Sequence, residues 1–150
     1  MDIGTIDRII DKHGAEPGAL IQVLLELQRE NHWLPQEALD RVARRLGVPA
    51  ARIRHIATFY KAFSLVPKGR HEVHVCVGTA CHVRGATRIL DTLQDATGIL
   101  PGETDAELKF SLETVNCLGC CALGPVMVVD GKTHGKLSPA AAADALKSYE

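Results

Sequence analysis

What this chain has little of narrows its reading first. It carries no surplus of charge: 17 Lys and Arg stand against 18 Asp and Glu, a formal net charge of -1. No long-range positive field exists to draw in a phosphate backbone, so nucleic acid is not an expected partner. No apolar run approaches the roughly 18 residues of a membrane span, and the opening MDIGTIDRIIDKHG lacks a basic segment followed by a long apolar stretch. These absences give the expectation of a soluble, cytoplasmic protein without membrane insertion. There is no cysteine before position 76; all five lie between Cys76 and Cys121. An odd number so clustered argues against a disulfide framework and for a site. Internal repeats and low-complexity tracts are missing too, as is any G-x-G-x-x-G after a strand or other nucleotide loop.

What is present reads as two regions. Up to about residue 65 the apolar positions recur with a helical period, and Gly or Pro punctuates each segment where a helix can begin or end. Four short helices fit. The first puts Ile3, Ile6, Ile9 and Ile10 on one side and stops at Gly14. The second runs from near Pro17 to Asn31 with Leu20, Val23, Leu24 and Leu27 on its stripe. Trp33 and Leu34 fill the turn. The third begins at Pro35, buries Leu39, Val42 and Leu46, and meets Gly47 where a left-handed cap belongs. The fourth starts at Pro49 and aligns Ile53, Ile56, Tyr60 and Phe63 on one face. Helices this short are marginal alone, so mutual packing must hold them.

Past the polar turn Pro67-Lys68-Gly69-Arg70 the period changes to two in His71-Glu72-Val73-His74-Val75-Cys76. Ala86, Ile89, Leu90 and Leu93 make an amphipathic helix ending near Gly98. Phe110 to Val115 and Val126 to Val129 read as strands, Asp130-Gly131 as a hairpin turn, and a last helix follows Ser138 as cap and Pro139. Strand, helix, strand, strand, helix is a small α/β layer. The expected organisation is a helical bundle over residues 1–66 and an α/β domain over 70–150.

The cysteines carry the chemistry. Cys76 closes the first strand, and Val77-Gly78-Thr79-Ala80 leads to Cys81; Cys117 follows the second strand, and Leu118-Gly119-Cys120 leads to Cys121. Two strand-end loops each offer a close pair. A 2Fe-2S cluster needs four thiolates, two per iron, and glycine-rich loops such as those at Gly78, Gly119 and Gly124 expose backbone N–H groups to the sulfurs. C-x4-C with C-x3-C is more specific than either pair alone, because structural zinc sites usually close a pair with two intervening residues, though up to four are seen. Two alternatives stand beside the cluster: a zinc-stabilised interaction module, and a thiol–disulfide oxidoreductase using Cys117 and Cys120 as a C-x-x-C pair. The last requires a helix directly after the pair to lower a thiol pKa, and Gly124-Pro125 ends the segment within a few residues.

Together, Leu34-Pro35, Ala57-Thr58-Phe59-Tyr60 with Phe63, Pro67-Lys68-Gly69, Cys76 with Cys81, Arg84-Gly85 and Asn116-Cys117-Leu118-Gly119 through Cys121 to Pro125-Val126-Met127 resemble NuoE-type subunits. These occur in NADH dehydrogenases and in NAD-linked hydrogenases and formate dehydrogenases. The likeness spans nearly the whole chain. It implies a helical bundle on a thioredoxin-like 2Fe-2S ferredoxin domain, with ligands at Cys76, Cys81, Cys117 and Cys121. It further implies an electron carrier that is not catalytic alone, a flavin subunit that binds FMN and NAD(H), and further iron–sulfur subunits. The segment Val77 to Gly85 looks more like hydrogenase-associated members than respiratory ones; the preferred expectation is an NAD-linked hydrogenase, electron-bifurcating forms included, with formate dehydrogenase and respiratory NADH:quinone oxidoreductase as alternatives.

Plainer readings attach to other residues. His82 is expected at the surface, since a Rieske-type site needs two His in place of two Cys. His71 and His74 read as polar residues on a half-covered strand rather than a metal pair. Arg41, Arg44, Arg45, Arg52 and Arg54 read as a solvated face. Phe59, Tyr60 and Phe63 are expected in the core, the other possibility for them, and for Trp33, being an exposed patch against a partner.

Overall fold

The computed structural model describes residues 1–149 and divides into two compact units, Met1–Lys68 and Gly69 onward. The first contains four helices: α1 (Ile3–Lys12), α2 (Leu20–Asn31), α3 (Gln36–Leu46) and α4 (Ala50–Phe59). Asp2 caps α1, its carboxylate accepting from the Gly4 N–H at 3.1 Å, which satisfies one of the donors a helix start leaves free. A 3-10 turn at Pro17–Ala19 leads into α2. Pro35 and Pro49 sit one residue before α3 and α4, as caps with extended backbone, so each helix begins one residue later than expected. Gly47 ends α3 in the left-handed conformation. The buried faces converge on one apolar cluster that includes Ile9, Ile10, Leu24, Leu27, Leu34 and Ile53.

Three expectations about this unit change. Ile3 is 63% exposed, because the buried side of α1 begins at Ile6. Phe59 and Tyr60 are exposed as well, and only Phe63 reaches the core. The physical reason is where α4 stops: Tyr60 has extended backbone (φ -88°, ψ 122°), so the helical spacing that aligned it with Ile53 no longer applies. The arginines also divide. Arg41 grips Asp7 with two hydrogen bonds, Nε to Oδ1 at 2.9 Å and Nη2 to Oδ2 at 2.6 Å, and Arg45 pairs with Asp7 and Asp11. These join α3 to α1 rather than facing solvent alone. The Arg41 hydrogen bonds hold the Asp7 carboxyl below its usual range, and Lys12 and His13 do the same for Glu26 on α2.

The second unit is a mixed sheet with helices. Its strands are β1 (His71–Cys76), β2 (Phe110–Val115), β3 (Met127–Val129) and β4 (Lys132–His134), in spatial order β2-β1-β3-β4. β1 and β2 are parallel, with Cys76 opposite Val115; β3 runs antiparallel to β1 and to β4. A parallel pair requires a crossover, supplied here by α5 (Thr79–Val83) and α6 (Ala86–Thr97). The hairpin at Asp130-Gly131 forms, and its second arm is the short strand β4. α7 (Pro139–Lys147) is capped by Ser138, whose Oγ accepts from the Ala141 N–H at 3.2 Å. Val73 and Val75 of β1, Leu112, Met127 and Val129 pack with Ile89 and Leu93 of α6 and Ala142 and Leu146 of α7.

The outer edge of β2 is occupied by the chain itself. Gly102 donates to the Leu112 carbonyl at 2.6 Å, Leu112 to that of Glu103 at 3.0 Å, and Asp105 to that of Phe110 at 3.0 Å. Thr104 and Ser111 form an isolated antiparallel bridge, their hydroxyls 2.7 Å apart. His71 lies against Asp130, Nδ1 to Oδ2 at 2.6 Å, and His74 against Glu72 at 3.4 Å. The strand histidines therefore have carboxylate neighbours. Among the described residues no helix is long and apolar enough to cross a membrane.

Candidate metal centre

Parallel pairing of β1 and β2 decides where the cysteines meet. The carboxyl ends of parallel strands lie at the same edge of a sheet, where α/β proteins place their sites. The loop after β1 carries Cys81 and the loop after β2 carries Cys117 and Cys121, so both emerge together. β3, antiparallel to β1, enters from that same edge, bringing Gly124-Pro125-Val126 alongside. Cys76 N–H donates to the Val126 carbonyl at 3.1 Å and Val77 N–H to that of Val115 at 2.9 Å, fastening the three segments. The approach is close. A Cβ on Gly78 would lie 2.4 Å from the Asn116 carbonyl oxygen, and one on Gly124 3.1 Å from the Cys81 sulfur.

Cys76, Cys81, Cys117 and Cys121 line one cavity of about 350 Å³ together with Gly78, Thr79, Ala80 and Asn116. Cys76 and Cys81 are buried; Cys117 and Cys121 are exposed, and all five cysteines are free thiols. Backbone donors aim at the sulfurs. Gly119, with φ +74°, donates to the Cys117 Sγ at 3.3 Å, and Gly78 and Leu118 N–H groups donate to Cys76. Burial pushes the Cys76 thiol up, but those donors and the neighbouring thiols of Cys81 and Cys117 outweigh it, leaving Cys76 below the ordinary thiol value. Cys81 is raised by burial and by Cys76; Cys121 is raised first by its hydrogen bond with Cys117 and then by the charge there. Four sulfurs so close cannot all ionise without a compensating positive charge among them.

The donor set has a definite chemistry. No imidazole or carboxylate lines the cavity, and all-thiolate sites suit zinc or iron–sulfur clusters. Among the described residues, no three His, Cys, Asp or Glu converge as ligands of a single ion. Four thiols spread around a cavity, a buried pair and an exposed pair, fit a group with more than one metal atom better than one tetrahedral ion. Cys120 does not line the cavity; its Sγ lies 3.5 Å from the Leu118 carbonyl. After it the chain makes only a three-residue 3-10 turn, Cys121–Leu123. The helix that dithiol chemistry at Cys117 and Cys120 requires is not formed there. His82 is exposed and faces Thr87 at 3.4 Å, away from the cavity lining.

Sequence reasoning missed three parts. Arg84 reaches across from α5's end and donates from Nη1 to the Cys121 carbonyl at 2.6 Å, tying one cysteine loop to the other. Asn116 lines the cavity, and the Leu118 and Val126 N–H groups serve as sulfur donors. Arg84 and Asn116 lie beside the cysteine motifs and were visible as neighbours, whereas the backbone donors depend on loop geometry alone.

Comparison with known proteins gives consistent results. The family model described as "Thioredoxin-like [2Fe-2S] ferredoxin" matches residues 6–150. The HndA subunit of the NADP-reducing hydrogenase of Solidesulfovibrio fructosivorans is 33% identical over 142 residues, covering 95% of this chain and 83% of that protein. One subunit of the NADH-quinone oxidoreductase of Escherichia coli (strain K12) is 35% identical over 139 residues, covering 92% and 84%. Among solved structures, the NAD+-reducing [NiFe]-hydrogenase in its air-oxidised state superposes with a TM-score of 0.72 at 25% identity over 87% of this chain. This chain spans 22% of that hydrogenase chain.

Proposed function

This chain belongs to the thioredoxin-like 2Fe-2S ferredoxin family, and from that premise we propose that Cys76, Cys81, Cys117 and Cys121 together hold one 2Fe-2S cluster. The observation that carries the assignment is the cavity at the sheet edge lined by these four thiols and no other ligating side chain. The chain is an electron-transfer subunit of a multisubunit NAD(H)-linked oxidoreductase, and its fold is the thioredoxin-like one of its family behind an N-terminal helical region.

The protein's own part is to hold and tune. A bound cluster supplies one-electron redox chemistry. Cys76 and Cys81 would hold it from the buried side, and Cys117 and Cys121 from the exposed side, the side open to a partner. The N–H groups of Gly78, Leu118, Gly119 and Val126 point partial positive charge at sulfur, which favours the added electron. Arg84 holds the Cys121 loop in register and adds a full positive charge nearby.

FMN and NAD(H) belong on a partner subunit, since this sequence offers no nucleotide loop; further iron–sulfur subunits complete the path. The relatives' identities do not separate hydrogenase from quinone oxidoreductase. We favour an NAD-linked hydrogenase, electron-bifurcating forms included, on the Val77 to Gly85 segment and the likeness to the NAD+-reducing hydrogenase; formate dehydrogenase and NADH:quinone oxidoreductase are the alternatives.

The test is anaerobic absorption and EPR of the purified chain, oxidised and dithionite-reduced, with iron and sulfide counted in the same sample. About two of each per chain, with a signal on reduction, is the expected result. Protein that stays colourless after anaerobic reconstitution, or that binds one zinc instead, overturns it. Cys120→Ser should keep the spectrum, and Cys121→Ser should lose it.

A further inference from the structure

Between Asp40 and Glu72 the sequence holds eight Lys or Arg and not one Asp or Glu, while the rest of the chain is acidic, with nine Lys or Arg against 18 Asp and Glu. The structure sorts those cations into two kinds. Arg41 and Arg45 are already engaged by Asp7 and Asp11. Arg52 and Arg54 on α4 and Lys61 just beyond it are exposed, with no carboxylate within ion-pair distance among the described residues.

Close to these cations in the chain, four large apolar side chains are exposed. Phe59 is 70% and Val66 62% exposed, with Tyr60 and Leu65 also open. The rings are ordered against one another: His55 stacks on Phe59 at 6.2 Å, Phe59 meets Tyr60 edge-on at 5.0 Å, and Tyr60 meets the buried Phe63 at 6.4 Å. A groove of about 650 Å³ continues from this row, lined by Trp33, Pro35, Arg54, Thr58 and Leu65, with Glu37 the one carboxylate on its wall. Aromatic side chains held in place by a core residue and flanked by unpaired arginines are the composition of interface hot spots, not of ordinary surface.

We propose that this surface, built on Arg52, Arg54, Phe59, Tyr60, Leu65 and Val66, docks an acidic segment of the flavin- and NADH-binding subunit, one that inserts an apolar side chain into the groove. Charge complementarity selects that chemistry. A face with three unpaired cations against the single carboxylate of Glu37 repels a basic segment and gains little from a neutral one, whereas carboxylates on the visitor neutralise it and speed encounter. The apolar row then supplies affinity at short range. The identity of the partner rests on the functional reading above; the chemistry of the surface does not.

The experiment titrates the isolated flavin subunit of the native complex against the full-length, cluster-loaded chain at low and physiological ionic strength. Phe59→Ser with Tyr60→Ser should weaken binding about tenfold or more at both. Arg52→Glu with Arg54→Glu should do so mainly at low salt and flatten the salt dependence. Arg88→Glu, a control on α6, should bind within about twofold of the unaltered chain. Far-UV circular dichroism and iron content check that each variant is folded and loaded. Unchanged binding by both double variants, with the unaltered chain binding, overturns the surface alone. An unaltered, loaded chain that does not bind the flavin subunit overturns the partner assignment and the surface with it. Self-association that the same substitutions abolish gives the face to a second copy and overturns the proposal.

Discussion

The two units differ in what fills them. The first buries a single cluster of carbon side chains contributed by all four helices, with Leu34 and Phe63 closing it. The second has a carbon core between the sheet and α6 and α7, and apart from it a small cluster of Cys76, Cys81, Ala86 and Val126. Half of that small cluster is sulfur. A carbon core stabilises wherever it is dry, but thiols at this spacing repel as they ionise and are satisfied only by what they bind. The stability of the helical unit should therefore be its own, and that of the sheet edge should depend on the cluster proposed above.

The sharpest way to break this contrast is Cys81→Ser. We expect the visible absorption and the reduced EPR signal to be lost entirely. Hydrogen exchange should then quicken in the loops of the second unit, while amides of α2 and α3 keep their protection. Equal loss in both units would show that they fold as one. The mirror experiment is Leu24→Ala, which should cost the helical unit about 2–5 kcal/mol in denaturant unfolding and leave the iron count unchanged.

Gly78→Ala should act between these extremes. The added methyl meets the Asn116 carbonyl at 2.4 Å, so the two cysteine loops must part, at about 1–3 kcal/mol, and reconstitution with iron and sulfide should slow. The smallest effect is in pH. Asp7 is held below its ordinary 3.8, first by hydrogen bonds from Arg41; its contribution is present above that value and lost as pH falls through the folded pKa. His134 is held below its ordinary 6.5 by burial and by Lys132. The folded second unit thus prefers the neutral ring, and stability is lost as pH falls from 6.5 through the folded pKa. Acidification should loosen the second unit before the first, as read by exchange at each; His134→Gln should remove the earlier step and Asp7→Asn the later.

How much of this was legible in the sequence depends on the range of the interaction that decides each feature. Helices α1 to α3 and α7 were plain because their end signals are local, as at Gly47 after α3 and Ser138 before α7. Tyr60 was misplaced because spacing assumes a helix that continues, and α4 stops at Phe59; Phe59 itself falls on the exposed side of α4, off the face of Ile53 and Ala57. The stop is a tertiary matter: the Leu34 N–H donates to the Ser64 carbonyl at 2.7 Å, drawing the chain back. β4 went unseen as a strand, since Lys132-Thr133-His134 has no apolar member and exists only by pairing with β3. At the sheet edge, the types and spacing of the four cysteines were readable, and the structure brings them around one cavity. The Arg84 bond to the Cys121 carbonyl was not, because it joins groups 37 positions apart.

The chain lying along β2, and the shortness of β4 with its exposed lysine, have a bearing on how this protein meets others. Open sheet margins invite strands from neighbouring molecules, the route to aggregation and to fibres. Here one margin is taken up by residues 102–105 and the other offers only three residues, led by Lys132. Backbone-to-backbone extension of the sheet is blocked at one margin and limited at the other to a three-residue, lysine-led strand. Strand addition is thereby disfavoured, and recognition falls to side chains, which can be tuned one at a time.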